Sequence, residues 1–133
     1  MTITRRRGTA IVETPNGILV ASGKRKLFLL PGGGAKKNES RKRAAIRELE
    51  EETSLRTYSC EYLFTSNEPK YNSEGKKRKI RNLHKVFLIK ATGNPKPSHH
   101  DVAYIDYWKP RSKIELSKST KIIIEKYLKE FKE

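Results

Sequence analysis

Residues 31 to 55, PGGGAKKNESRKRAAIRELEEETSL, run from a glycine-rich loop into a helix whose charges are the wrong way round. Lys36, Lys37, Arg41, Lys42 and Arg43 stand near its start, and Glu48, Glu50, Glu51 and Glu52 crowd its end. A helix carries partial positive charge at its N-terminus and partial negative charge at its C-terminus, so stability favours the opposite order. The segment therefore reads as a loop–helix unit whose acidic end runs against helix stability and asks for a reason.

The flanking pattern supplies the rest of the architecture. Residues 8–13 and 18–22 read as strands joined by a turn at Pro15-Asn16-Gly17. A third strand is expected over 26–30, KLFLL, broken by Pro31 and the glycines 32–34. The helix is expected from about Ser40 to Thr53, capped by Asn38 or Ser40, with Ala45, Ile46, Leu49 and Thr53 on its apolar face. Strands follow at 55–65, 82–91 and 102–108, with polar loops at 66–81 and 93–100. A second amphipathic helix spans 117–131, with Ile124, Tyr127, Leu128 and Phe131 at helical spacing and Ser117 or Ser119 as its cap. Strands, helix, strands, helix make an α/β (α+β) chain with a mixed sheet and helices on its faces.

The 133 residues suit one domain, 1–133. No apolar run is long enough to span a membrane, no signal peptide is read at the N-terminus, and Cys60 is the only cysteine. A soluble, cytoplasmic protein with no membrane partner is expected, as monomer or homodimer. Against 15 Asp and Glu stand 30 Lys and Arg, a net charge of +15. Such a field attracts polyanions, nucleotide or RNA, without choosing between them.

Glu48, Glu51 and Glu52 are spaced i, i+3, i+4 and share one helical face. Like charges about 4 Å apart repel by about 1 kcal/mol in water, and more in a shielded site. A divalent cation reverses each of those interactions, because hard cations take carboxylate oxygens. The alternative is a solvated charged helix in which Arg47 pairs with Glu51, and composition alone favours it.

Spacing changes that balance. Gly33, five residues, Glu39, seven residues, Arg47-Glu48-Leu49-Glu50-Glu51-Glu52, one residue, Ser54 and Leu55 closely resemble the Nudix box. Only Ser54 departs from it, standing where the family has glycine. The element order also resembles the Nudix α/β/α sandwich. The resemblance implies a hydrolase that cuts a pyrophosphate bond in a nucleoside diphosphate linked to a further group X, with Mg2+ or Mn2+. It implies Arg47, Glu48, Glu51 and Glu52 as the catalytic set. The metal ligands would be Glu48, Glu51 and Glu52 with the backbone carbonyl of Gly32. Glu39 would brace Arg47, and Gly33 would give close approach. A further acid often completes the family's site, and Asp101 and Glu74 are the candidates; the adjacent His99 and His100 read as exposed loop residues. A serine ending the helix at a positive φ would cost about 1 kcal/mol.

Residues 76–81, KKRKIR, hold five basic side chains in six. Lys76, Lys77, Arg78 and Lys79 are candidates for substrate phosphate, at even odds with a solvated loop, and Arg5, Arg6 and Arg7 can add to the same field. Tyr71, Tyr104, Tyr107 and Trp108 are candidates to stack on a base, although a strand tryptophan is more often core. A nucleoside triphosphate is the simplest substrate. ADP-ribose or a dinucleoside polyphosphate comes next, and a Nudix-like module that binds nucleotide or RNA without cutting is the other class.

Overall fold

A computed structural model describes residues 2–68, 71–72 and 79–132. Its elements are β1 (Thr2–Ile11), β2 (Glu13–Thr14), β3 (Gly17–Ser22), β4 (Gly32–Gly34), α1 (Arg41–Thr53), β5 (Arg56–Asn67), β6 (Tyr71–Asn72), β7 (Lys79–Thr92), β8 (Tyr104–Trp108) and α2 (Lys118–Glu130). Among the described residues one sheet has the order β4-β1-β7-β5, with β6 also on β7, and a second has the order β2-β3-β8. The larger sheet is mixed: β1 runs parallel to β7, while β4 and β5 pair antiparallel to their neighbours.

Strand periodicity puts a core on each side. Ala10, Leu19, Phe87 and Ile89 pack with Ala45 and Leu49 of α1. Their chain neighbours Ile11, Val20 and Val86 point the other way and pack with Ile123, Ile124 and Tyr127 of α2. Successive strand side chains face opposite sides, so a sheet covered on both faces needs unbroken apolar runs such as Ala10–Val12 and Ile18–Ala21. The result is the expected sandwich of helix, sheet and helix.

Three local expectations are corrected. The strand expected over 8–13 is divided at Val12, with β1 in one sheet and β2 in the other. The strand expected over 26–30 is reduced to single bridges, Ala21 to Leu29 and Phe28 to Leu116. Phe28 and Leu30 are buried while Leu27 and Leu29 are exposed, so the alternation is real, but pairing with β3 stops at the single Leu29–Ala21 bridge. Conversely, the glycines read as a strand breaker form β4, paired with β1 through Gly8↔Gly33. A Cβ on Gly8 would strike the α1 backbone at Arg41, and one on Gly33 would lie 2.5 Å from Glu48 Cδ. Bare backbone is what lets this edge and the helix approach so closely.

Both helices begin as expected, at Ser40 and Ser117, whose hydroxyls accept from the N–H groups of Arg43 and Thr120. Asn38 is not the cap; it takes a left-handed turn before it, at φ 64°. Ser54 ends α1 in the left-handed region, at φ 63° and ψ 9°. The strain expected for a serine in the box's glycine position is therefore present. No helix among the described residues is long and apolar enough to cross a membrane.

Candidate active site

Arg47 is the centre of the site. Its Nε and Nη2 donate to the two oxygens of Glu39, at 2.8 and 3.0 Å. Nη1 donates to Glu48 at 3.0 Å and reaches Glu51 at 3.3 Å. Nη2 also donates to the Gly34 carbonyl at 3.2 Å. A planar fork satisfied on both edges cannot rotate freely, so Arg47 locks the Glu48 and Glu51 carboxylates against β4. Donation from Arg47, helped by the Lys36 N–H, holds the Glu39 carboxyl down at about 2. The same contacts raise Arg47 above its ordinary value. Glu39 and Arg47 are therefore both charged at neutral pH and paired at 2.8 Å, eight residues apart in the chain.

Glu52 is different. Its Oε1 accepts from the Gly32 N–H at 3.0 Å. Burial pushes its pKa up to about 7, with Glu48 and Glu51 adding to the rise against the Gly32 N–H and the Arg7 cation. A carboxylate this hard to ionise, next to further acids and a glycine backbone, is an all-oxygen donor set short of positive charge. Hard divalent cations such as Mg2+ and Mn2+ take such oxygens, so these residues fit the metal the resemblance implies. A groove lined by Glu39, Arg43, Ile46, Arg47, Glu50 and Glu51 opens beside the cluster.

The helix end is held from outside by the loop after β7. Lys96 N–H donates to the Thr53 carbonyl at 3.0 Å, Ser98 N–H to Glu52 at 3.1 Å, and Ser98 Oγ to Glu51 at 2.7 Å. These carbonyls have no partner within the helix, and the loop supplies the missing donors. Nothing local in the sequence points to Ser98; it lies 47 residues from Glu51.

A second polar cluster, also unforeseen, lies on the α2 side of β1 and β7. Thr9 Oγ1 lies 3.0 Å from His84 Nδ1, His84 Nε2 lies 2.8 Å from Glu68, and Asn82 Nδ2 donates to Glu68 at 2.6 Å. Burial would raise Glu68, but donation from Asn82 and His84 outweighs it and leaves the carboxyl lowered. Burial lowers His84, aided by Arg7 and opposed by Glu68. An anionic Glu68 only accepts, so neutral His84 carries its proton on Nε2 and accepts from Thr9 through Nδ1. Thr9 is paired with Gly32 across β1 and β4, which places this network one strand from the carboxylates.

The remaining candidates divide. Glu74, Lys76, Lys77 and Arg78 lie outside the described residues. Lys79 begins β7, exposed and opposite Thr2. Arg5 and Arg6 are exposed on β1, and Arg7 is close enough to Glu52 and His84 to affect both. Trp108 packs against the α2-side core and Tyr107 against the α1-side core. Tyr104 is exposed beneath the Lys26 ammonium, and Tyr71 lies in β6. Asp101 stands among His99 and His100 rather than with the helix carboxylates.

The comparisons with known proteins follow this geometry. The family described as NUDIX domain matches residues 4–131. A solved structure assigned to the Nudix hydrolase family, from Chromobacterium violaceum, is 35% identical with a TM-score of 0.75, covering 96% of this chain and 78% of that one. A MutT NUDIX hydrolase from Burkholderia pseudomallei is 21% identical with a TM-score of 0.70, covering 92% and 97%. An ADP-ribose pyrophosphatase from Streptococcus suis is 15% identical with a TM-score of 0.62, covering 87% and 81%. At those last two identities the likeness is one of fold. No curated protein sequence matches the chain.

Proposed function

The chain belongs to the Nudix family of pyrophosphohydrolases, and from that premise we propose that it hydrolyses a nucleoside triphosphate at the cluster built around Arg47. Water attacks one phosphorus, the bridging P–O bond breaks, and a nucleoside monophosphate and pyrophosphate leave. Glu48, Glu51, Glu52 and the Gly32 carbonyl hold Mg2+ or Mn2+, which when bound neutralises phosphate charge and makes water a better nucleophile. Arg47 keeps the Glu48 and Glu51 oxygens converged, and Glu39 keeps Arg47 in place. The net charge of +15 draws an anionic substrate toward the site.

The observation that carries the reading is the shared Arg47 fork on Glu39, Glu48 and Glu51. Polyphosphate chains gather the most charge per ligand, so a triphosphate suits this field better than ADP-ribose. The test is a panel of nucleoside triphosphates, ADP-ribose and dinucleoside polyphosphates with Mg2+ or Mn2+, with product analysis. Glu51→Gln and Glu52→Gln are expected to lose about 10²–10⁴-fold in rate. Variants as fast as the parent protein would remove the assignment, and preference for ADP-ribose would remove the triphosphate.

A further inference from the structure

The loop between β7 and β8 carries His99, His100 and Asp101 in succession, and the reaction proposed above uses none of them. This loop is fixed on both sides of the triplet. Before it, Lys96 and Ser98 are bonded to the end of α1. After it, Val102 N–H donates to the His99 carbonyl at 2.9 Å and Ala103 N–H to Ser22 at 2.8 Å. The backbone of the triplet is thus set by contacts to two separate elements.

Within it, the Asp101 carboxylate lies between the imidazoles. His100 Nε2 is 3.4 Å from Oδ1 and His99 Nδ1 is 3.6 Å from Oδ2. The rings stand 4.1 Å apart, and one ligand atom from each residue falls within 4.8 Å of the others. A separation of 3.6 Å is too long for a hydrogen bond. It is close to the spacing of neighbouring ligands around a tetrahedral zinc ion, about 3.4 Å for bonds of about 2.1 Å. His99 Nδ1 accepts from the Asp101 N–H at 3.1 Å, so this nitrogen is unprotonated, and an ion bound there would take the place of that hydrogen bond. His100 and Asp101 are largely exposed, leaving their side chains free to close the last ångström and an ion free to enter.

We infer that His99, His100 and Asp101 form a separate divalent-metal site on the loop that caps the carboxylate helix. Two imidazoles and one carboxylate suit Zn2+ or Co2+ rather than Mg2+, which prefers oxygen and keeps its waters. With three protein ligands the fourth position stays open to water or another oxygen. This chemistry differs from the all-oxygen cluster of α1, so the sites separate by ion. The inference does not rest on the proposed hydrolysis.

The test is titration of the full chain with Co2+, followed by visible absorption, and with Zn2+, followed by calorimetry. The variants are His99→Ala/His100→Ala, Asp101→Asn and Glu51→Gln/Glu52→Gln, each checked for folding by circular dichroism. The parent protein is expected to give the intense visible band of tetrahedral Co2+. The histidine pair variant should lose that band and more than the about 10–100-fold in affinity that loss of a mere outer-shell partner costs. Asp101→Asn should weaken binding in the same direction, and it stands in if the pair variant does not fold. The Glu51→Gln/Glu52→Gln variant should keep the band. A band that survives loss of both histidines, a band lost only with the carboxylates, or no binding by the parent protein would each overturn the site. None of these outcomes decides the hydrolysis assay, which is read separately.

Discussion

α1 and α2 are both 13 residues long and both start at a serine cap, yet they end in different ways. α2 closes with Lys129 in its last turn, the charge its dipole favours. Neither helix has an acid in its first turn, and α1 has no base in its last. Its final residue is followed by a serine in the left-handed region, and its last carbonyls are taken by a loop more than 40 residues away in sequence. The apolar faces of the two helices do the same work, closing one core each. The difference lies in the polar face: that of α2 is solvated, and that of α1 is organised by Arg47 around acids that repel one another. The two helices differ at their C-terminal ends, where α2 carries the charge its dipole favours and α1 carries the carboxylates.

The first way to break this comparison is in the cores, where the helices should be equal. Leu49→Ala and Ile123→Ala remove fully buried side chains and should each cost about 2–5 kcal/mol in denaturant unfolding. A large inequality would mean that the α1 face is not a core face like that of α2. The next test is on the polar faces, where they should differ. Arg47→Lys keeps the charge but loses the fork on Glu39, and hydrolysis is expected to fall about 10²-fold with the fold retained. Lys126→Ala, which breaks the exposed 3.8 Å pair with Glu130 on α2, should stay within about 0.5 kcal/mol in stability and leave the rate unchanged.

A smaller effect sharpens the account of the helix end. Ser54 stands at φ 63°, where glycine has no penalty, so Ser54→Gly should raise stability by about 0.5–1 kcal/mol. A loss would show that the serine makes a compensating contact. The pH response concerns the other face of the sheet. His84 is lowered from its ordinary value of 6.5 by burial, so it contributes stability above that pH that is lost as acid protonates the unfolded chain first. Glu68 is lowered from 4.5 and adds a further loss below that value. Glu52, raised to about 7, acts in the opposite sense over the same range, because its protonation on acidification favours the fold. The His84 part is therefore read by difference, and His84→Gln should lose less melting temperature, or gain more, than the parent protein just below pH 6.5. An unchanged profile in that variant would remove His84 as the cause.

Much of this was legible from residue type and spacing. The apolar runs marked the strands, a serine was among the candidates for each cap, and Glu39, Arg47 and the glutamates were singled out as candidates by their resemblance to the Nudix box rather than by helical spacing alone. What was not legible has particular causes. β4 is made of glycines, which carry no pattern of their own and become a strand only because Gly8 lies opposite. The strand expected over 26–30 alternates correctly but is paired only through single bridges, and pairing is not a property of a single segment. The join between Thr9 and His84 spans 75 residues, and that between Ser98 and Glu51 spans 47. No local periodicity records either.

The central claim is that the acidic end of α1 is built to grip divalent cations at a cost in stability. The direct measurement is unfolding of the parent protein and of Glu48→Gln/Glu51→Gln/Glu52→Gln, each with chelator and with Mn2+. The account predicts that the variant is the more stable without metal, relieved of its repulsion, and that only the parent protein is stabilised by Mn2+. A variant less stable without metal and equally stabilised by Mn2+ would contradict it.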